Sequence, residues 1–226
     1  MERVLCLVMG YVFGLFQTGY LYSRSKHMDI RNYGSGNSGS TNVLRVMGKK
    51  AGLIVFLGDA GKMITACLIT RVLFRSQPEL LYVYLLYTGF GVILGHNFPF
   101  YMGFKGGKGI AATAGLILSF HPYFIVMGVV LFFGAFLTTH YVSLGSLLVY
   151  AGFMIQMVVC GQMGLFGAMP QSQLYEMYAI TAFLTVMAYW KHRQNIVRLI
   201  HGNERKTYLF KKKAAEEQTE ISGEDK

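Results

Sequence analysis

Apolar residues in this chain fall in long stretches, at 4–22, 52–73, 80–96, 110–139, 142–161 and 174–190, and charged residues are almost confined to the gaps between them. Each stretch is close to the ~20 residues that a helix needs to cross a bilayer, which predicts an all-α, polytopic membrane protein. The fourth stretch is too long for one span. As a continuous helix its thirty residues would reach ~45 Å against a hydrocarbon core of ~30 Å, and it contains His121-Pro122, which disfavours helix continuation. A break there predicts two helices in its place, and seven transmembrane helices in total.

Composition agrees with this pattern. Of 226 residues, 53% are hydrophobic and only 14% are charged, against ~25% charged in a typical soluble protein, and mean hydropathy is +0.39. The 27 glycines exceed an average share, and part of them is expected at helix contacts. Cys6, Cys67 and Cys160 lie far apart inside apolar runs, so they read as apolar fillers, not as disulfide partners or metal ligands. The first apolar run lacks a small-residue cleavage pattern after Tyr22 and is read as the first span.

Charge gives an orientation. Six Lys and Arg separate the first two apolar runs, and nine follow from Lys191 onward, so both segments are expected in the cytoplasm. An even number of spans must then lie between them, which requires the break at Pro122. This places the N-terminus outside and the C-terminus inside. Residues 1–206 are read as one membrane domain, and residues 207–226, with Lys211–Lys213 and five later acids, as a charged cytoplasmic tail that is disordered or lies on the membrane surface.

Three polar islands carry the candidate chemistry. The first runs from Arg31 through Gly34-Ser35-Gly36-Asn37-Ser38-Gly39-Ser40-Thr41-Asn42 to Arg45. Its turns can point backbone N–H groups at an oxyanion, and Arg45 offers a planar cation for phosphate. The second, Gly95-His96-Asn97-Phe98-Pro99 through Phe104-Lys105-Gly106-Gly107-Lys108-Gly109, opens into an apolar helix at Ile110, so free amides and the positive dipole end meet two lysines. It lacks the glycine spacing and the Ser or Thr of a nucleotide P-loop, which excludes an ATPase reading. The third is His192-Arg193-Gln194-Asn195, with Arg198, Gly202 and Glu204. Within an apolar run, Asp59 and Lys62 are three residues apart and are expected to pair toward the bundle interior. Acids are otherwise scarce in the islands, leaving few ligands for a metal and few candidates for paired-carboxylate hydrolysis.

These motifs, in this order between apolar runs, resemble the bacterial membrane-bound glycerol-3-phosphate acyltransferases that use acyl phosphate as donor. Two departures are small: Ser40 stands where the family usually has Ala, and Met63 where Gly is usual. The His-x4-Asp signature of other acyltransferases is absent among the six histidines. The resemblance implies seven helices with the N-terminus outside, a site facing the cytoplasm of a bacterial cell membrane, and transfer of a fatty acyl group to the sn-1 hydroxyl of glycerol 3-phosphate, giving lysophosphatidate and phosphate. It implies no cofactor, no metal and no nucleic acid, with a soluble phosphate acyltransferase supplying the donor.

On this reading Ser35, Arg45, His96 and Lys105 are the catalytic candidates. Asn37, Thr41, Asn42, Gly106, Gly107, Lys108, Ser143, His192 and Asn195 are expected to bind substrate, and Asp59, Lys62 and Arg198 to support them. Arg45, Lys105 and Lys108 are expected to neutralise phosphates and the Gly106-Gly107 amides to cradle an oxyanion. A substrate phosphate is the expected base, with His96 the alternative. The competing function is a membrane transporter for an organic phosphate, which would also need intramembrane charge.

Overall fold

The computed structural model describes residues 1–208; the expected tail from residue 209 onward lies outside the described residues. The described residues are helical, with no strand among them. In chain order the helices are α1 (Glu2–Gly14), α2 (Thr18–Arg24), α3 (Ser40–Met47), α4 (Lys49–Leu73), α5 (Leu81–Asn97), α6 (Ile110–Phe120), α7 (Pro122–Thr139), α8 (Val142–Gln162), α9 (Gln171–Lys191) and α10 (Arg193–Ile200). Five segments are long and apolar enough to cross a membrane: Glu2–Arg24, Lys49–Leu73, Pro78–Met102, Pro122–Thr139 and Val142–Gln162. The protein is a multi-pass membrane protein. Its outward faces carry exposed Val8, Val12, Val72, Val126, Val130 and Leu137, a surface suited to lipid.

The fourth apolar run does break at His121, which leaves helical geometry while Pro122 occupies the first turn of α7, where its missing N–H costs no hydrogen bond. The 11 residues of α6 reach only ~16 Å, about half of a hydrocarbon core.

Glycine sets the tightest helix contact. Gly10 and Gly14 of α1 face Gly91 and Gly95 of α5, and a Cβ added to any of the four would lie 2.2–2.3 Å from a carbonyl oxygen of the facing helix. Two small-x-x-x-small stripes therefore bring the helices together backbone against backbone. Cys6, Cys67 and Cys160 are buried and unpaired, consistent with filler positions.

The first span is broken at Leu15–Gln17, and polar side chains hold the break. The Gln17 carboxamide donates toward the carbonyls of Gly14, Gly95 and His96, while the Lys62 ammonium reaches the Phe16 carbonyl at 2.5 Å and Gly14 at 3.4 Å. Carbonyls freed at the end of α1 thus find donors from α4 and from their own loop, which an apolar environment requires. The break ties α1, α4 and α5 together directly beneath the polar loops.

Candidate active site

A cleft of about 690 Å³, including the open water at its mouth, lies where the three polar islands meet. Three helix N-termini converge on it: Gly39–Asn42 at α3, Gly109–Ala111 at α6, and Val142, Ser143 and Ser146 at α8. Each contributes unpaired amides and a partial positive charge to the same space. Gly109 precedes α6 with φ +81°, a left-handed conformation that a residue with a side chain adopts only with strain, so the loop can turn into the helix with its amides facing inward.

Arg45, Lys108 and Arg198 add full positive charges to the lining, and Glu204 is the carboxylate set among them. The Lys108 ammonium donates to the Asn195 carbonyl oxygen, and the Asn195 amide donates to Glu204 at 2.8 Å. Glu204 also accepts from Arg198 Nε at 2.8 Å and from the Ser143 hydroxyl at 3.1 Å. Burial alone would raise the Glu204 pKa, but hydrogen bonds from Asn195, Arg198 and Ser143 outweigh it and hold the carboxyl below its usual value. Burial lowers the Lys108 ammonium to about 8, against the opposing pull of Glu204, and burial likewise lowers Arg45.

Arg45 is braced from the chain's far end. Its Nε and Nη2 donate to Thr207 Oγ1 at 3.0 and 2.7 Å, and Nη2 to the Arg205 carbonyl at 3.0 Å. The Thr207 amide in turn donates to the His140 carbonyl at 2.9 Å, and the ring of Tyr208 lies 4.6 Å from that of His140. Residues 204–208 therefore form a strap from α10 across the α7–α8 junction to α3. Thr207, expected to begin the tail, is instead buried in the domain, so the domain extends past residue 206.

Ser35, Asn37, Thr41, Asn42, Arg45, Asp59, His96, Lys108, Ser143, His192, Asn195 and Arg198 all line the cleft. Four expectations change. Lys105 is exposed and lies outside the lining. The Gly106 and Gly107 amides do not face an oxyanion; they donate to the carbonyls of Asn97 and His96 at 3.2 and 3.1 Å, closing the end of α5. The Asn42 carboxamide is engaged by its own loop, accepting from the Ser35 amide at 2.8 Å and donating to the carbonyls of Tyr33 and Asn37, so it shapes the loop.

The fourth concerns His96 as a base. Lys62 Nζ lies 2.9 Å from His96 Nδ1, and an ammonium only donates, so the ring lone pair is already occupied. Asp59 pairs with Lys62 at 3.0 Å and accepts from the Thr18 hydroxyl at 3.0 Å. Lys62 itself lies behind the lining.

His192 has the opposite arrangement. Its Nδ1 is 2.8 Å from the Ala188 carbonyl, which can only accept, so Nδ1 carries the proton and the Nε2 lone pair remains. Burial first, then the charge of Lys108, lowers its pKa to about 4 and keeps it neutral.

Sequence reasoning gave no role to Glu204, Ser146, Thr207 or Gln17. Glu204 was visible as a lone acid in a basic segment, and Gln17 as a lone carboxamide within the first apolar run. Among the described residues, no group of three or more His, Cys, Asp or Glu side chains is placed to hold a metal ion.

Comparison with known proteins matches this geometry to one family. The family model described as glycerol-3-phosphate acyltransferase matches residues 4–202. The chain is 38% identical over 206 residues to the glycerol-3-phosphate acyltransferase of Clostridioides difficile (strain 630), covering 90% of this chain and 94% of the relative. It is 38% identical over 208 residues to that of Halalkalibacterium halodurans, covering 91% and 96%. Among solved structures, PlsY (YgiH), an integral membrane glycerol 3-phosphate acyltransferase, superposes in its glycerol 3-phosphate form with a TM-score of 0.78 at 30% identity, covering 92% of this chain and 96% of that one. Its lysophosphatidic acid form gives 0.74 at 29% identity. With all three polar islands inside the matched span or at its edge, this membrane enzyme belongs to the glycerol-3-phosphate acyltransferase family.

Proposed function

We propose that the protein transfers a fatty acyl group from acyl phosphate to the sn-1 hydroxyl of glycerol 3-phosphate, giving lysophosphatidate and inorganic phosphate. The observation that carries this reading is the cleft's charge: half-buried Arg45, Lys108 and Arg198 and three helix N-termini surround Glu204, while Asp59, the other carboxylate in the lining, is already paired with Lys62. Such a site suits two phosphate-bearing reactants held side by side. The related PlsY was solved in a glycerol 3-phosphate form and a lysophosphatidic acid form, two molecules that differ by one acyl group, which supports the same substrate and product here.

An acyl phosphate already carries a good leaving group, so positioning and charge stabilisation are the enzyme's main task. The glycerol hydroxyl oxygen attacks the acyl carbon, the bond from that carbon to the phosphate oxygen breaks, and the hydroxyl proton passes to a phosphate oxygen. Arg45 and Lys108 neutralise the phosphates, Ser35, Asn37 and Thr41 border them, and Asn195 aims Lys108. The amides at the start of α6 face the charge that develops on oxygen.

The same reading places seven helices across the bacterial cell membrane, with α6 and α7 as separate crossings, the N-terminus outside and the cleft facing the cytoplasm. A soluble phosphate acyltransferase would supply the donor from that side. No observation favours the transporter alternative. The test is purified full-length protein with palmitoyl phosphate and glycerol 3-phosphate: phosphate and lysophosphatidate are expected without coenzyme A, acyl carrier protein, nucleotide or metal. Turnover only with an acyl thioester would reject the donor assignment.

A further inference from the structure

Beneath the cleft, the Lys62 ammonium faces three oxygens that can only accept, Asp59 Oδ1 at 3.0 Å, the Phe16 carbonyl at 2.5 Å and the more distant Gly14 carbonyl, and it lies 2.9 Å from His96 Nδ1. Three protons on Nζ serve the three short contacts. His96 Nδ1 must then present its lone pair, so the imidazole proton sits on Nε2. An imidazolium is excluded by the same contact, since an N–H at Nδ1 would face the ammonium; Asp59, 3.7 Å away, has Lys62 as its nearer partner.

The ring also borders the cleft. His96 is among the lining residues, and its Nε2 has no acceptor among the described residues. Gly107 leaves the room for it, because a Cβ there would lie 2.1 Å from Nε2. The absence of a side chain at Gly107 thus has a chemical consequence that a P-loop analogy does not suggest.

We propose that His96 serves as a neutral hydrogen-bond donor through Nε2–H to a phosphate-bearing reactant in the cleft, and that Lys62 is the positioning residue that fixes this tautomer. The proposal rests on the acyl-phosphate reading for the identity of the reactants, but the tautomer is independent of it. A donor held in place before substrate arrives needs no reorganisation when the anion binds. A hydrogen bond to a charged group contributes ~1.5–3 kcal/mol, roughly ten- to hundredfold in affinity or rate.

The test uses full-length protein labelled with 15N-histidine in detergent micelles, with the His96 ring signals assigned by their loss in His96→Gln. Without any turnover, wild type is expected to show a protonated Nε2 and an unprotonated Nδ1, and a proton on Nδ1 would overturn the proposal. Glycerol 3-phosphate and a nonreactive alkyl phosphonate mimic of the donor are titrated separately. The one that shifts the Nε2–H resonance is the reactant bound, and no shift with either overturns the donor role. Lys62→Met is expected to let Asp59 draw a proton onto Nδ1, and an unchanged ring in a folded variant would overturn the positioning role. In kinetics, His96→Ala is expected to lose about ten- to hundredfold in kcat/KM, whereas His96→Gln, which keeps an N–H, recovers most of it. Equal loss in both variants would also count against the proposal. If wild type accepts only acyl thioesters, the donor assignment fails while the tautomer result stands on its own.

Discussion

Two carboxylates, Glu176 in α9 and Glu204 after α10, are held by similar numbers of hydrogen bonds and do different things. Glu176 accepts from Arg3 at 2.5 and 2.9 Å and from the Tyr87 hydroxyl at 2.7 Å, so one cation meets one anion and α1, α5 and α9 are pinned together. Glu204 accepts from Ser143, Asn195 and Arg198, but Lys108 and Arg45 stand in the same cleft without a carboxylate of their own. The balanced cluster is scaffold. The cluster with surplus positive charge is a site, because burying unmatched cations is costly unless an anionic ligand gives something back.

The largest test of that contrast is Lys108→Met. It removes a buried, hydrogen-bonded cation and should lower kcat/KM for glycerol 3-phosphate on the order of a hundredfold or more, as steady-state kinetics will measure. Glu204→Ala should cost about 3–5 kcal/mol of stability, because Asn195, Arg198 and Ser143 lose their shared acceptor; thermal unfolding in detergent checks this.

The contrast was only partly visible in the sequence. Long uncharged runs announced the helices, and His121-Pro122 announced the break between α6 and α7, since both follow from composition and from proline's missing N–H. The three polar islands were legible because Gly, Asn, Arg and Lys cluster conspicuously in an apolar chain. Which polar groups face the cleft was not. Gly106 and Gly107 look like anion-binding amides until the carbonyls ending α5 occupy them, and Lys105 and Lys108 differ by one turn of a loop. Partners distant in sequence, such as Thr207 for Arg45 and Lys62 for His96, are set by tertiary packing that no local spacing encodes.

The pH profile sharpens the comparison further. Lys108 carries its charge below its pKa of about 8 and loses it as pH rises through that value. The substrate phosphate is already a dianion there, with its second pKa ~6. Hence kcat/KM for glycerol 3-phosphate should fall above about pH 8, and Lys108→Arg should remove that decline. Thr207→Ala leaves Arg45 charged but less well held, and should raise KM for glycerol 3-phosphate roughly fivefold, from the loss of about 1 kcal/mol. The smallest effect is expected at the balanced cluster. Glu176→Gln should cost about 1 kcal/mol of stability, given the partial exposure of Arg3 and Glu176, and leave kcat/KM unchanged.

Equilibrium dialysis of radiolabelled glycerol 3-phosphate against the purified wild type, Lys108→Met and Glu176→Gln asks directly whether unmatched charge makes the phosphate site. The account predicts saturable binding to wild type and Glu176→Gln alike, and at least tenfold weaker binding to folded Lys108→Met. Equal affinity in all three proteins would contradict it.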